Sequence, residues 1–200
     1  MPQGFKKQLL LFYFLVKLEN KLLEDLFTAY FDARKNKRNT INALKFELHY
    51  ESNLFQLYED IISKRYEISE SICFINYSPV QREIFAADFR DRIIHHIVFN
   101  YINPIFEKVF INDSYSCRKN KGTHHGIKRI KRFISQCSAN YIKDCYIMKL
   151  DIEGYFMNMD RELQYQKVIT VLKDQKEKID CDFDVIKFLL QKIVFNDPTS

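Results

Sequence analysis

The sequence predicts an α+β chain, and three observations carry that reading. Glycine and proline are scarce, at four each in 200 residues, while apolar residues recur at helical spacing over long stretches. Ser71 to Tyr77 (SICFINY) and Arg82 to Ala86 (REIFA) are both strand-prone and flank a Ser78-Pro79 turn signal. Cys145 to Leu150 (CYIMKL) is a short apolar run ending at Asp151, which reads as a buried strand. Helices, a hairpin, helices, a strand and further helices follow one another, an order typical of α+β folds.

Taken along the chain, the first helical pattern runs over residues 8–33, with Leu15, Leu18, Leu22, Leu26 and Tyr30 on one face. Its start, Leu9 to Val16, is the longest apolar run. It is too short to span a bilayer and no small-residue cleavage site follows, so no membrane partner is expected. A basic break (Arg34, Lys35, Lys37, Arg38) separates it from a second helix, which opens at Asn39 or Thr40 as cap and carries Ala43, Leu44, Phe46 and Leu48. A third is expected over residues 52–64. After the hairpin, Asp88 caps a helix bearing Ile93, Ile94, Ile97, Val98, Tyr101 and Ile102, with Pro104 near its end. Residues 112–122 are polar and loop-like. Ile127, Ile130, Phe133 and Ile134 then mark a helix, and two more fill 160–175 and 182–194.

Composition narrows the function classes. A 46% hydrophobic chain with 18 Phe and 12 Tyr excludes disorder and low-complexity repeats. The net charge of +5 is modest, so its distribution matters more than its total. The five cysteines are odd in number and lack zinc-knuckle spacing, which points to a reduced, cytoplasmic setting and buried, inert thiols.

The charge is concentrated. From Arg118 to Arg132 the chain holds Arg118, Lys119, Lys121, Lys128, Arg129, Lys131 and Arg132 with no acid among them. In the helical part the cations lie away from Ile127, Ile130 and Phe133. Such a face either binds a polyphosphate backbone through counterion release or is an ordinary solvated surface. Asp151, at the end of an apolar run, offers a carboxylate to a hard cation such as magnesium, or caps a following helix. One carboxylate does not hold the metal pair of nucleotidyl transfer, and the chain contains no Asp-Asp dipeptide. Arg82 to Arg92 (REIFAADFRDR) alternates charges that suit surface ion pairs, or lets Arg82 offer a forked donor to a phosphate. His95-His96 and His124-His125 point too far apart to chelate within a pair and are assigned to packing or solvent.

Together these stretches resemble the reverse transcriptase family. The likeness is closest to enzymes of diversity-generating retroelements, with group II intron and retron enzymes as relatives. Arg82 to Arg92 with the helix after it is similar to the first conserved finger block, Ser114 to Gly126 (SYSCRKNKGTHHG) to the second, and Leu150 to Phe156 (LDIEGYF) to the third. Ala33 to Thr40 (ARKNKRNT) is similar to the N-terminal extension.

The resemblance implies helix-rich fingers with a β-hairpin, followed by the start of a right-hand polymerase palm. The corresponding segments are an extension over 1–66, fingers over 67–145 and a truncated palm over 146–200. It implies RNA-directed DNA synthesis by the parent enzyme. Asp151 and the Ile152 carbonyl would be magnesium ligands. Arg82, Glu153, Gly154 and Tyr155 would face the incoming deoxynucleoside triphosphate, and Phe156 would lie under its sugar. The basic run at 118–132 would lie along an RNA template and its primer, and a small basic helical protein would be an accessory partner. The family's aromatic-x-Asp-Asp motif and thumb are absent from the 200 residues, so this piece is expected to be inactive by itself.

Overall fold

A computed structural model describes residues 21–35, 40–78, 81–155 and 158–198. Residues 21–34 are helical (α1), followed by α2 (Ile41–Glu47), α3 (Tyr50–Ile62), β1 (Ile72–Asn76), β2 (Arg82–Ala86), α4 (Phe89–Val109), α5 (Thr123–Cys137), α6 (Arg161–Asp174), a single 3-10 turn at Lys176–Lys178, and α7 (Phe183–Phe195). The fold is therefore helix-rich with one small antiparallel sheet, the α+β arrangement that the sequence predicts. The apolar run Leu9 to Val16 lies outside the described residues. Among the described residues, no helix is long and apolar enough to cross a membrane.

The chain divides into two compact units. One takes in the chain up to Asn103 together with the part from Arg161 onward; the other spans Pro104–Asp160. The boundary falls within α4, at Pro104. Proline has no N–H to give the carbonyl four residues back, yet the helix continues through it to Val109.

The first unit owns the core. The i, i+4 pattern of α1 buries Leu22, Leu26, Ala29, Tyr30 and Ala33. Tyr30 stacks on Tyr50 at 5.0 Å between ring centres and meets Phe89 edge-on at 6.1 Å. Phe89, Ile93, Ile94, Ile97 and Val98 of α4 are buried, as are Ile169 and Leu172 of α6 and Ile186, Leu189 and Leu190 of α7. Helix ends follow local chemistry. The Asp88 carboxylate accepts the Arg90 N–H (3.0 Å) and caps α4, while Asp182 does the same for α7 through the Asp184 N–H (2.9 Å). Thr40 occupies the cap position of α2 in an extended conformation.

The charged string after β2 is mostly woven into this unit. Asp91 is fully buried and accepts bonds from the Tyr66 hydroxyl (2.7 Å) and the Ser69 N–H (2.9 Å). Burial, then the Asp91 carboxylate, push the Tyr66 hydroxyl pKa far above its usual value. Arg90 donates to the Glu67 carbonyl and the Asp60 carboxylate and lies over the Tyr66 ring, while Arg92 donates to the Ala87 carbonyl. These are internal ties rather than surface pairs.

Two sequence expectations are corrected. Cys145 to Leu150 forms no strand, and it is not buried: Tyr146, Met148 and Leu150 are 94%, 80% and 79% exposed. A strand exists by pairing its backbone with a neighbour, and among the described residues the only ladder is β1 with β2, from Ile72 opposite Ala86 to Asn76 opposite Arg82. The apolar run is thus a strand sequence without a partner. The cysteines are not buried either. Cys73, Cys117 and Cys137 are exposed, and Cys145 and Cys181 are half-buried.

Candidate nucleic-acid interface

The basic run lies wholly in the second unit, and the structure sorts its seven cations by what holds them. Arg118 lies within a polar loop in which Ser116, Cys117 and Asn120 take left-handed backbone conformations. Arg118 ties this loop back to the segment before it. Its guanidinium donates to the carbonyls of Ile111 and Ser114 at 3.0 Å each and forms a fork with Glu107, at 2.9 to 3.1 Å. It also lies over the Phe110 ring, and its side chain is 6% exposed. Hydrogen bonding from Arg118 holds the Glu107 carboxyl below its ordinary pKa.

Arg129 makes the second tie. Its Nε and Nη2 reach the two Asp113 oxygens at 2.7 and 2.8 Å, and the Tyr115 hydroxyl donates to the same carboxylate at 2.6 Å. Arg129 first, then Tyr115, hold the Asp113 carboxyl well below the usual carboxylate range. The Tyr115 ring covers Gly126, where an added Cβ would stand 3.7 Å away. Lys121 is the third tie, donating to the carbonyl and side-chain oxygen of Asn112. A planar forked donor suits the two arginine roles, because each must bond several oxygens in fixed directions.

Lys119, Lys128, Lys131 and Arg132 remain. All four are exposed, and none forms an ion pair with another described residue. On α5, at 100° per residue, Lys128, Lys131 and Arg132 fall on one stripe with His124, opposite Ile130 and Phe133. The cation stripe free to meet a polyanion is therefore narrower than the basic run in the sequence, and the loop before it is braced by the run's other members.

The expected catalytic segment is placed differently. Asp151 is exposed, and its Oδ1 accepts the N–H of Ile152 at 2.9 Å. Glu153 and Tyr155 are exposed beside it, and the Asn158 N–H closes a turn onto the Gly154 carbonyl at 3.0 Å. Gly154 has φ +58°, a left-handed conformation, and a Cβ there would stand 2.7 Å from Asn158 Nδ2. Only glycine is comfortable in this turn. Phe156 lies outside the described residues.

Among the described residues, no group of three or more His, Cys, Asp or Glu side chains is placed to hold a metal ion. Asp151 and the Ile152 carbonyl would supply two oxygens to magnesium, which takes waters and substrate phosphates for the rest of its octahedral shell.

Arg82 belongs to the other unit. It stands at the turn end of the hairpin, opposite Asn76, exposed and without an ion pair among the described residues. His95, His96 and His125 are half-buried and His124 is exposed. Burial lowers the pKa of His95 below the ordinary 6.5. The His125 ring lies tilted against the Tyr115 ring, 5.8 Å between centres.

Sequence reasoning missed the acids that neutralise the run. Glu107 and Asp113 lie just upstream of Arg118, outside the acid-free window. A wider window would have revealed them as partners. The first unit also has a cleft of about 610 Å³ lined by Glu67, Ile68, Phe188, Lys192, Phe195 and Asn196. Lys192 pairs there with Glu67, and Asp197 adds a second carboxylate to the lining. No family model matches the chain, and no curated protein matches it.

Proposed function

We propose that this chain is the fingers and the first part of the palm of an RNA-directed DNA polymerase of the diversity-generating retroelement type, and that α5 is its nucleic-acid contact. The observation that carries the nucleic-acid part is the uncompensated stripe Lys128, Lys131 and Arg132, with Lys119 on the braced loop before it. Cations without acidic partners gain by neutralising phosphates and releasing counterions. The polymerase part rests on the ordered resemblance of three sequence blocks. It rests also on the exposed apolar run Cys145 to Leu150, which leads straight to Asp151.

In this reading Asp151 is one member of a larger carboxylate set, and Arg82 meets the triphosphate from the hairpin. The 200 residues alone extend no primer. In a chain carrying the remaining palm, Asp151→Asn abolishes DNA synthesis on an RNA template and leaves RNA binding nearly intact. Primer extension by the 200-residue chain itself, or full synthesis by Asp151→Asn, contradicts the assignment. An RNA-binding module without catalysis is the second reading, favoured by the lone carboxylate at 151. RNA binding together with a synthesis-free longer chain identifies it.

A further inference from the structure

On the reading of α5 as a polyanion contact, we propose that His124 is a proton-gated member of that site, so that a protonated imidazole adds one phosphate contact. His124, Lys128 and Arg132 stand four residues apart along α5. Residues at that spacing share a helix face, and each step advances about 6 Å along the axis. The three side chains therefore form a row, with Lys131 beside it. A row of this pitch suits successive phosphates of one strand laid along the helix.

The imidazole is free for this role. His124 is exposed, and its ring has no hydrogen bond or ion pair among the described residues. Its neighbour His125 points about 100° away around the helix, with its ring against Tyr115. The charged groups on the His124 stripe, Lys128, Lys131 and Arg132, are all cations. On the side of α5 that meets the loop, Arg129 is held by Asp113. The loop itself brings Lys119, Lys121, which is tied to Asn112, and Arg118, which is forked on Glu107. No described carboxylate pairs with the imidazole, so a phosphate is the anion left for it to meet.

Of the residue types on the stripe, only histidine changes charge between about pH 5 and pH 8. A neutral imidazole leaves the phosphate contacts to the lysines and the arginine. An imidazolium donates from both nitrogens and releases one more counterion on meeting a phosphate. The phosphate in turn favours the charged form. Binding therefore takes up a proton, and affinity rises as pH falls. The Asp113 and Glu107 carboxyls are held below 3.8 and 4.5, so the loop ties stay ionised over the same range.

The test measures binding of polyuridine RNA, whose bases do not titrate near neutrality, to the 200-residue chain across a salt series. It is run at about pH 5.5 and at about pH 8, on either side of the imidazole range. The expected result is a log–log salt slope steeper by about 0.7 at the acid pH, equivalent to about fivefold tighter binding at about 0.1 M salt. His124→Gln should give the shallow slope at both pH values, and His124→Lys the steep slope at both. Equal slopes in the unaltered chain, or a pH difference that survives His124→Gln, would overturn the proposal and leave the polyanion reading standing. A slope near zero at both pH values would overturn that reading and the proposal with it.

Discussion

The two compact units are held together by different physics. The first buries helix faces against one another, with Leu26, Leu54, Ile61, Ile93, Ile94, Leu172, Ile186 and Leu189 fully enclosed. In the second, Ile105 is the one large apolar side chain buried among the described residues, while Phe110, Ile127, Ile130, Tyr146, Met148 and Leu150 face outward. Its order comes from Arg118, Lys121 and Arg129, which gather loop carbonyls and two carboxylates. Apolar burial is non-directional and sums over area, so it produces a sturdy unit. Forked hydrogen bonds are directional, so they shape a loop without supplying much cohesion. The second unit accordingly exposes both the unpaired cations and the apolar run ending at Asp151.

The largest expected effect tests that contrast. Leu172→Ala, at a fully buried site of the first unit, should cost about 2–5 kcal/mol in denaturant unfolding. Ile130→Ala, on the exposed face of α5, should stay within about 0.5 kcal/mol. Equal losses would mean that the second unit has a core of its own.

A smaller effect concerns acid. Asp113 and Glu107 are both held below their ordinary values of 3.8 and 4.5. A depressed carboxylate stabilises above its unfolded pKa and loses that contribution as pH falls through its folded pKa. The loop ties should therefore be complete above pH 4.5 and erode only in more acidic solution. Carboxyl titration by NMR should show Asp113 protonating below 3.8 in the unaltered chain and moving back toward the ordinary value in Arg129→Gln. An unshifted Asp113 in the unaltered chain would remove Arg129 from its bracing role.

The smallest effect is at Gly126. It sits inside α5, and an added Cβ meets the Tyr115 ring at an ordinary contact distance of 3.7 Å. Gly126→Ala should therefore stabilise the helix by roughly 0.5–1 kcal/mol. A loss instead would show that the Tyr115 ring is packed too tightly to accept a methyl group.

The sequence makes the first unit legible for a physical reason. Helical periodicity is local, so Leu22, Leu26 and Tyr30 announce their face, and Asp88 announces its cap. The β1–β2 hairpin is equally local, with two strand-prone runs about a single turn. The second unit depends on relations that a linear pattern does not carry. Cys145 to Leu150 has the composition of a strand but no strand to pair with among the described residues. Arg118 and Arg129 look like their exposed neighbours until the loop folds Glu107 and Asp113 against them.

The central claim is that the basic run divides into bracing cations and free ones, and that only the free ones meet nucleic acid. The direct measurement is the salt dependence of single-stranded RNA binding by the 200-residue chain, with and without the free stripe. Each phosphate neutralised contributes about −0.7 to the slope of log affinity against log salt. Replacing Lys128, Lys131 and Arg132 by Gln together should flatten the slope by about 2. Arg129→Gln should leave the slope nearly unchanged, because that guanidinium is already spent on Asp113. A slope untouched by the triple substitution would contradict the account and reduce the stripe to a solvated face.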